Sequence, residues 1–92
     1  MQTLHIKILS IRSAERYVVR RLVLVAELDT RPGVDLEIAE SGDPTEIGRY
    51  ATALVQPSLV IEGRTVCNGR MPARAEVAAW LRQAVEGEPP RP

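Results

Sequence analysis

The chain has 92 residues, enough for one domain with one core, and the reading is a single domain over 1–87 followed by a disordered tail over 88–92. Lys and Arg together number 12 and so do Asp and Glu, so no whole-molecule field draws the chain to nucleic acid or to an anionic membrane. A single cysteine excludes an internal disulfide, which fits a reducing, cytoplasmic setting. The first residues carry no basic segment leading into an apolar one, and no run approaches the ~18 apolar residues of a membrane span, so neither export nor insertion is expected.

Leu4, Ile6 and Ile8 alternate with His5 and Lys7, the period of two that marks a strand with one buried face. From Ser13 the spacing becomes helical. Ala14, Tyr17, Val18, Leu22, Val25 and Leu28 fall on one side, which is expected to face the core, while Glu15, Arg16, Arg20 and Glu27 lie elsewhere. Ser13 is the expected cap, its hydroxyl accepting from an amide of the first turn. Arg31-Pro32-Gly33 ends the helix.

Val34, Leu36 and Ile38 alternate with Asp35 and Glu37 as a second half-buried strand, so strand, helix and strand form a right-handed parallel unit. Ser41-Gly42-Asp43-Pro44 opens a short helix, with Asp43 as cap, Pro44 at the first helical position and Glu46 three residues beyond the cap. Ile47, Tyr50, Ala51 and Leu54 give it an apolar side. After Pro57, Ser58-Leu59-Val60-Ile61 reads as a buried strand, and Arg64 to Asn68 as its hairpin partner. A last helix from about Ala73 to Glu86 turns Val77, Trp80, Leu81, Ala84 and Val85 to the core, and Gly87 stops it. The order βαβαββα closes on a helix, whereas a ferredoxin-like sandwich closes on a strand. Trp80 and Tyr17 are read as core.

This order, the proline before Ser58-Leu59-Val60-Ile61-Glu62-Gly63, and Asn68-Gly69-Arg70-Met71-Pro72 leading into the last helix resemble the small thioredoxin-like proteins called redox-active disulfide protein 2. The resemblance covers about Leu4 to Val85 and is strongest from Pro57 to Leu81. It implies an α/β thioredoxin-like domain with a four-stranded mixed sheet and three helices. In that family a Cys-x-x-Cys sits where the first strand feeds the first helix, and Ser13 and Arg16 stand at those two positions here. The pair works because a helix start acidifies the first thiol and the second resolves the mixed disulfide. A hydroxyl and a guanidinium do neither. The stretch Ala51 to Gln56 is one residue longer than the family's. The resemblance also implies a cis Gln56–Pro57 bond, with the backbone at Gln56 offered to an extended segment by strand addition, a role that needs no thiol. The plainer alternative is that Pro57 only shapes the turn.

Cys67, on the hairpin's second strand, is flanked by Val66 and Asn68, and free cysteine is most often a small buried hydrophobe. Exposed, it would be a reactive thiol. Arg12, Ser13 and Arg16 beside a helix start could hold a carboxylate, a phosphate or glutathione, or could be a capped helix with solvated arginines; Arg70 and Arg74 are candidates for the same edge. No recurring ligand spacing supports a metal, and no cofactor is expected. The expected function is a redox-inactive module that binds a protein partner or pairs with itself, rather than an enzyme. The alternative is a single-thiol or glutathione-linked protein acting through Cys67 or the Ser13 helix start.

Overall fold

The alternation of Leu4, Ile6 and Ile8 becomes β1 (Thr3–Leu9), in which these three side chains are buried while His5 is exposed and Lys7 half-buried. The computed structural model describes residues 3–30, 33–50 and 57–87. The helix α1 (Ser13–Thr30) follows β1 and leads to β2 (Asp35–Ser41), which pairs with β1 in parallel, Leu4 opposite Leu36 and Ile6 opposite Ile38. A parallel pair needs such a crossover, because no tight turn can bring the chain back to the same end of the sheet.

The second helix, α2 (Pro44–Tyr50), starts as its sequence asks: Thr45 N–H donates to the Asp43 carboxylate at 3.0 Å and Pro44 takes the first position. Ala51 and Leu54 lie outside the described residues, as does the 88–92 tail. The strands β3 (Ser58–Ile61) and β4 (Arg64–Asn68) form a hairpin whose two-residue turn is Glu62-Gly63, with φ of 51° and 78°. Two successive left-handed residues give the turn whose twist matches that of the strands it joins. The last helix is α3 (Arg74–Val85), and Gly87 past its end has φ 82°.

The sheet order is β2-β1-β3-β4, with β3 antiparallel to both its neighbours. Leu4, Ile6, Ile8, Leu59 and Ile61 join Val19, Val23 and Ala26 of α1 and Val77, Trp80 and Leu81 of α3 in the main core. Leu9 and Val60 point the other way, against Ile47 and Tyr50 of α2. The molecule is therefore a mixed four-stranded sheet with α1 and α3 on one face and α2 on the other, the α/β arrangement of a thioredoxin-like domain.

One expectation is overturned. The side of α1 chosen for the core is the outer one: Tyr17 is 58%, Val18 44% and Leu28 72% exposed, Ala14 is exposed, and Leu22 and Val25 are half-buried. The buried side carries Val19, Val23 and Ala26. α1 has apolar stripes on opposite sides, and periodicity alone cannot rank them. Trp80 and Leu81 of α3 fill much of the shared core, so close packing there admits valine and alanine rather than tyrosine and leucine. Trp80, 4% exposed, lies in the core as read, and Tyr17 does not.

Candidate functional site

The corner where β1 feeds α1 is built around Ser10 and Arg16. Ser10 is fully buried, and its N–H donates to the Ser41 carbonyl at 3.2 Å, extending the β1–β2 ladder by one bond. Its hydroxyl accepts from Arg12 N–H at 3.2 Å and donates to the Glu15 carboxylate at 3.0 Å. Arg16 N–H donates to the Arg12 carbonyl at 3.2 Å, so Arg12 holds the cap position and Ser13 is the first helical residue, exposed. The capping role expected of Ser13 passes to Ser10, because the turn places that hydroxyl under the first free amide.

Arg16 closes this corner. Its Nη1 donates to the Ser10 carbonyl at 2.6 Å, and its Nε lies 3.7 Å from Glu40 of β2. The guanidinium lies over Gly42, where an added Cβ would meet Nη1 at 2.6 Å. Arg20 reaches the same Glu40 at 3.0 Å, and Arg12 lies 3.8 Å from Glu15. The positive charge of this helix start is therefore matched by Glu15 and Glu40, and an anion arriving there meets two carboxylates. Glu15, Glu40 and Gly42 were not foreseen in this site.

A shared pattern could have revealed the corner. Ser41 repeats Ser10 at the end of β2: its hydroxyl accepts from Asp43 N–H, two residues on, at 3.2 Å and donates to Glu46, five residues on, at 3.1 Å. Ser-x-x-x-x-Glu thus marks both strand-to-helix corners. Glu46 does not close a capping box, because its carboxylate is taken by Ser41 and by Lys7 at 2.8 Å. Lys7 also lies 4.8 Å from the Tyr50 ring centre. A recess of about 280 Å³ opens beside them, lined by His5, Lys7, Glu37 and Tyr50 among others.

The register Leu9 to Ser58 places Pro57, which is buried, across from Ser10. Pro57 accepts from Gly69 N–H at 3.1 Å, which holds the end of the hairpin against the same corner. Gln56, and with it the geometry of the Gln56–Pro57 bond, lies outside the described residues. The fold thus gathers Arg12, Ser13, Arg16 and Pro57 at one end of the sheet.

Cys67 is elsewhere in the chemistry. It is 3% exposed, and its thiol donates to the Arg70 carbonyl at 3.1 Å. Burial pushes that thiol above its ordinary range, with the nearby Arg70 charge opposing the shift. Arg70 is held by both Glu76 oxygens, at 2.8 and 2.7 Å. Arg74 pairs with Asp29, sixteen residues along α1 from Ser13 and about 24 Å of helix away. It does not join the Ser13 edge, since its guanidinium is committed to the opposite end of the helix. Among the described residues no group of three or more His, Cys, Asp or Glu could hold a metal ion, and no helix is long and apolar enough to cross a membrane.

No curated protein and no solved structure matches the chain. A family model described as a thioredoxin domain matches residues 5–82, from β1 into α3 and across the whole sheet, and the chain belongs to that family.

Proposed function

We propose that this chain is a thioredoxin-like domain that has kept the scaffold's docking corner and given up its dithiol chemistry, acting as a redox-inactive module that binds an extended segment of a protein partner. The observation that carries the proposal is Arg16: the second position of the lost pair holds a guanidinium bonded inward to Ser10 and placed against Glu40. A side chain that braces the corner has replaced one that would resolve a mixed disulfide.

Other features support the same reading. Ser13 is exposed at the first helical position, where its hydroxyl cannot leave as a stabilised thiolate does. The lone thiol is buried and its pKa is raised, so the thiolate that exchange needs is disfavoured. The buried thiol counts against the single-thiol alternative, and Glu15 and Glu40 beside the helix start count against an anion such as glutathione there. Pro57 borders the corner across from Ser10, and the backbone before it, at Gln56, is the segment to which the resemblance gives strand addition. The relation to the redox-active disulfide protein 2 group belongs to this proposal.

The test is a titration of isotope-labelled protein with carboxymethylated insulin B chain, an extended polypeptide without free thiols. The proposal expects amide shifts at Leu9 to Ser13 and at Ser58 and Leu59, unchanged in the Cys67→Ser variant. Absence of shifts there at saturating peptide rejects the docking role.

A further inference from the structure

α1 is apolar on two opposite sides, and only one of them is covered. At 100° per residue, Tyr17, Val18, Leu24, Val25 and Leu28 centre on the side facing away from Val19, Val23 and Ala26. Four of these five are among the most exposed large apolar side chains of the described residues, Leu28 at 72%. Tyr17, Val18 and Val25, with Leu22, Arg21 and Arg74, border an open groove of about 440 Å³. Val18, Val25 and Leu28 fall at spacings of seven and three, three positions of a seam that receives another helix, with Arg21 at the fourth. An amphipathic helix needs one apolar stripe to face its own core, and the second stripe of α1 has no cover among the described residues.

The charges of α1 identify the occupant. Its first nine residues carry Glu15, Arg16, Arg20 and Arg21, net +2, and its last nine carry Glu27 and Asp29, net −2. That order opposes the helix dipole, which favours acids at the start and bases at the end. Contacts within the fold answer part of it: Arg16 and Arg20 face Glu40, and Asp29 holds Arg74. Arg21 lies over the Tyr17 ring at 5.9 Å and has no carboxylate partner among the described residues. Arg20 and Glu27 share one flank, seven residues apart. A second copy of α1 laid antiparallel along the stripe sets the basic half of each helix on the acidic half of the other, and each Arg20 near the other's Glu27. A two-fold axis crossing the stripe at the level of residue 23 along the helix repeats both contacts, as an isologous interface requires.

We infer that this face of α1 is a self-association surface on which two copies of the chain pair antiparallel, Val18 of one beside Leu28 of the other. It is distinct from the Pro57 corner and does not depend on the function proposed for it. Six apolar side chains are far fewer than the roughly 20–30 residues a side of a standard interface, so the dimer is weak and forms at micromolar to millimolar concentration.

Sedimentation equilibrium over a concentration series tests this. The apparent mass is expected to rise toward twice that of the monomer, and Val18→Glu and Leu28→Glu are each expected to abolish the rise while their dilute thermal unfolding matches wild type. A wild type that stays monomeric up to about 1 mM, which would leave the stripe to a different partner, overturns the inference. So does a dimer that survives both variants. Orientation is read by mixing Val18→Cys and Leu28→Cys proteins under mild oxidation: antiparallel pairing cross-links the two variants to each other, whereas parallel pairing, contradicting the inference, links like to like.

Discussion

Arg16 donates through Nη1 to the carbonyl of Ser10 at 2.6 Å, joining the helix position that the resemblance matches to the family's second cysteine to the residue just past β1. The bond is charge-assisted and half-sheltered, and Arg16→Ala leaves the Ser10 carbonyl without this donor. The expected loss is about 1.5–3 kcal/mol in chemical denaturation. Gly42→Ala should reproduce much of that loss, because its methyl group meets Nη1 at 2.6 Å and displaces the guanidinium. In the Arg16→Ala background Gly42→Ala should be neutral or slightly stabilising, since alanine restricts the unfolded chain. Additive losses in this double-mutant cycle would contradict the bracing role.

Acid should loosen the start of α3. Arg70 and the Ala73 N–H hold the Glu76 carboxyl down at about 2, against an ordinary value of 4.5. A carboxyl whose pKa is lower in the fold than in the unfolded chain stabilises above the unfolded value, and its contribution fades as pH falls from 4.5 toward 2. Glu46 and Asp29 are lowered in the same sense, chiefly by their hydrogen bonds to Lys7 and Arg74. Thermal midpoints should therefore fall between pH 4.5 and 2, and Glu76→Gln should flatten that limb. Lys7 is raised by its bond to Glu46, so its part is full below 10.5 and is lost only as pH climbs through its higher folded value.

Cys67 should resist thiol reagents. With 3% exposure and a pKa raised by burial, its labelling by an aromatic disulfide at neutral pH is expected to follow unfolding rather than native-state encounter. Denaturant should release the full signal of one thiol. Rapid labelling of the folded protein would restore the single-thiol alternative.

The two sides of α1 should differ in their cost of truncation. Val23→Ala removes a fully buried side chain from the main core and is expected to cost about 2 kcal/mol. Val18→Ala, on a side chain 44% exposed, should stay within ~0.5 kcal/mol in dilute solution. Equal costs would mean that α1 is rotated from the orientation described.

The order of elements was legible because its signals are local: the alternation Leu4-Ile6-Ile8, the unbroken apolar run Leu59-Val60-Ile61, the helix start Asp43-Pro44 and the helix stop Gly87. The orientation of α1 was not, since burial of Val19 rather than Val18 depends on what α3 brings to the shared core. At the site, Ser13 and Arg16 were named from the resemblance, but the residues that brace the corner were hidden. Ser10 and Glu40 meet Arg16 only after β1 and β2 pair in parallel. The Ser-x-x-x-x-Glu pattern was the one local trace of it.

The most direct measurement of the central claim is insulin reduction with dithiothreitol as the electron source, comparing wild type, Cys67→Ser and no protein. The account predicts the same uncatalysed rate in all three. Reduction accelerated by wild type, and still accelerated after Cys67→Ser, would contradict it, because the corner at Ser13 and Arg16 would then be performing the chemistry that its residues are held to have lost.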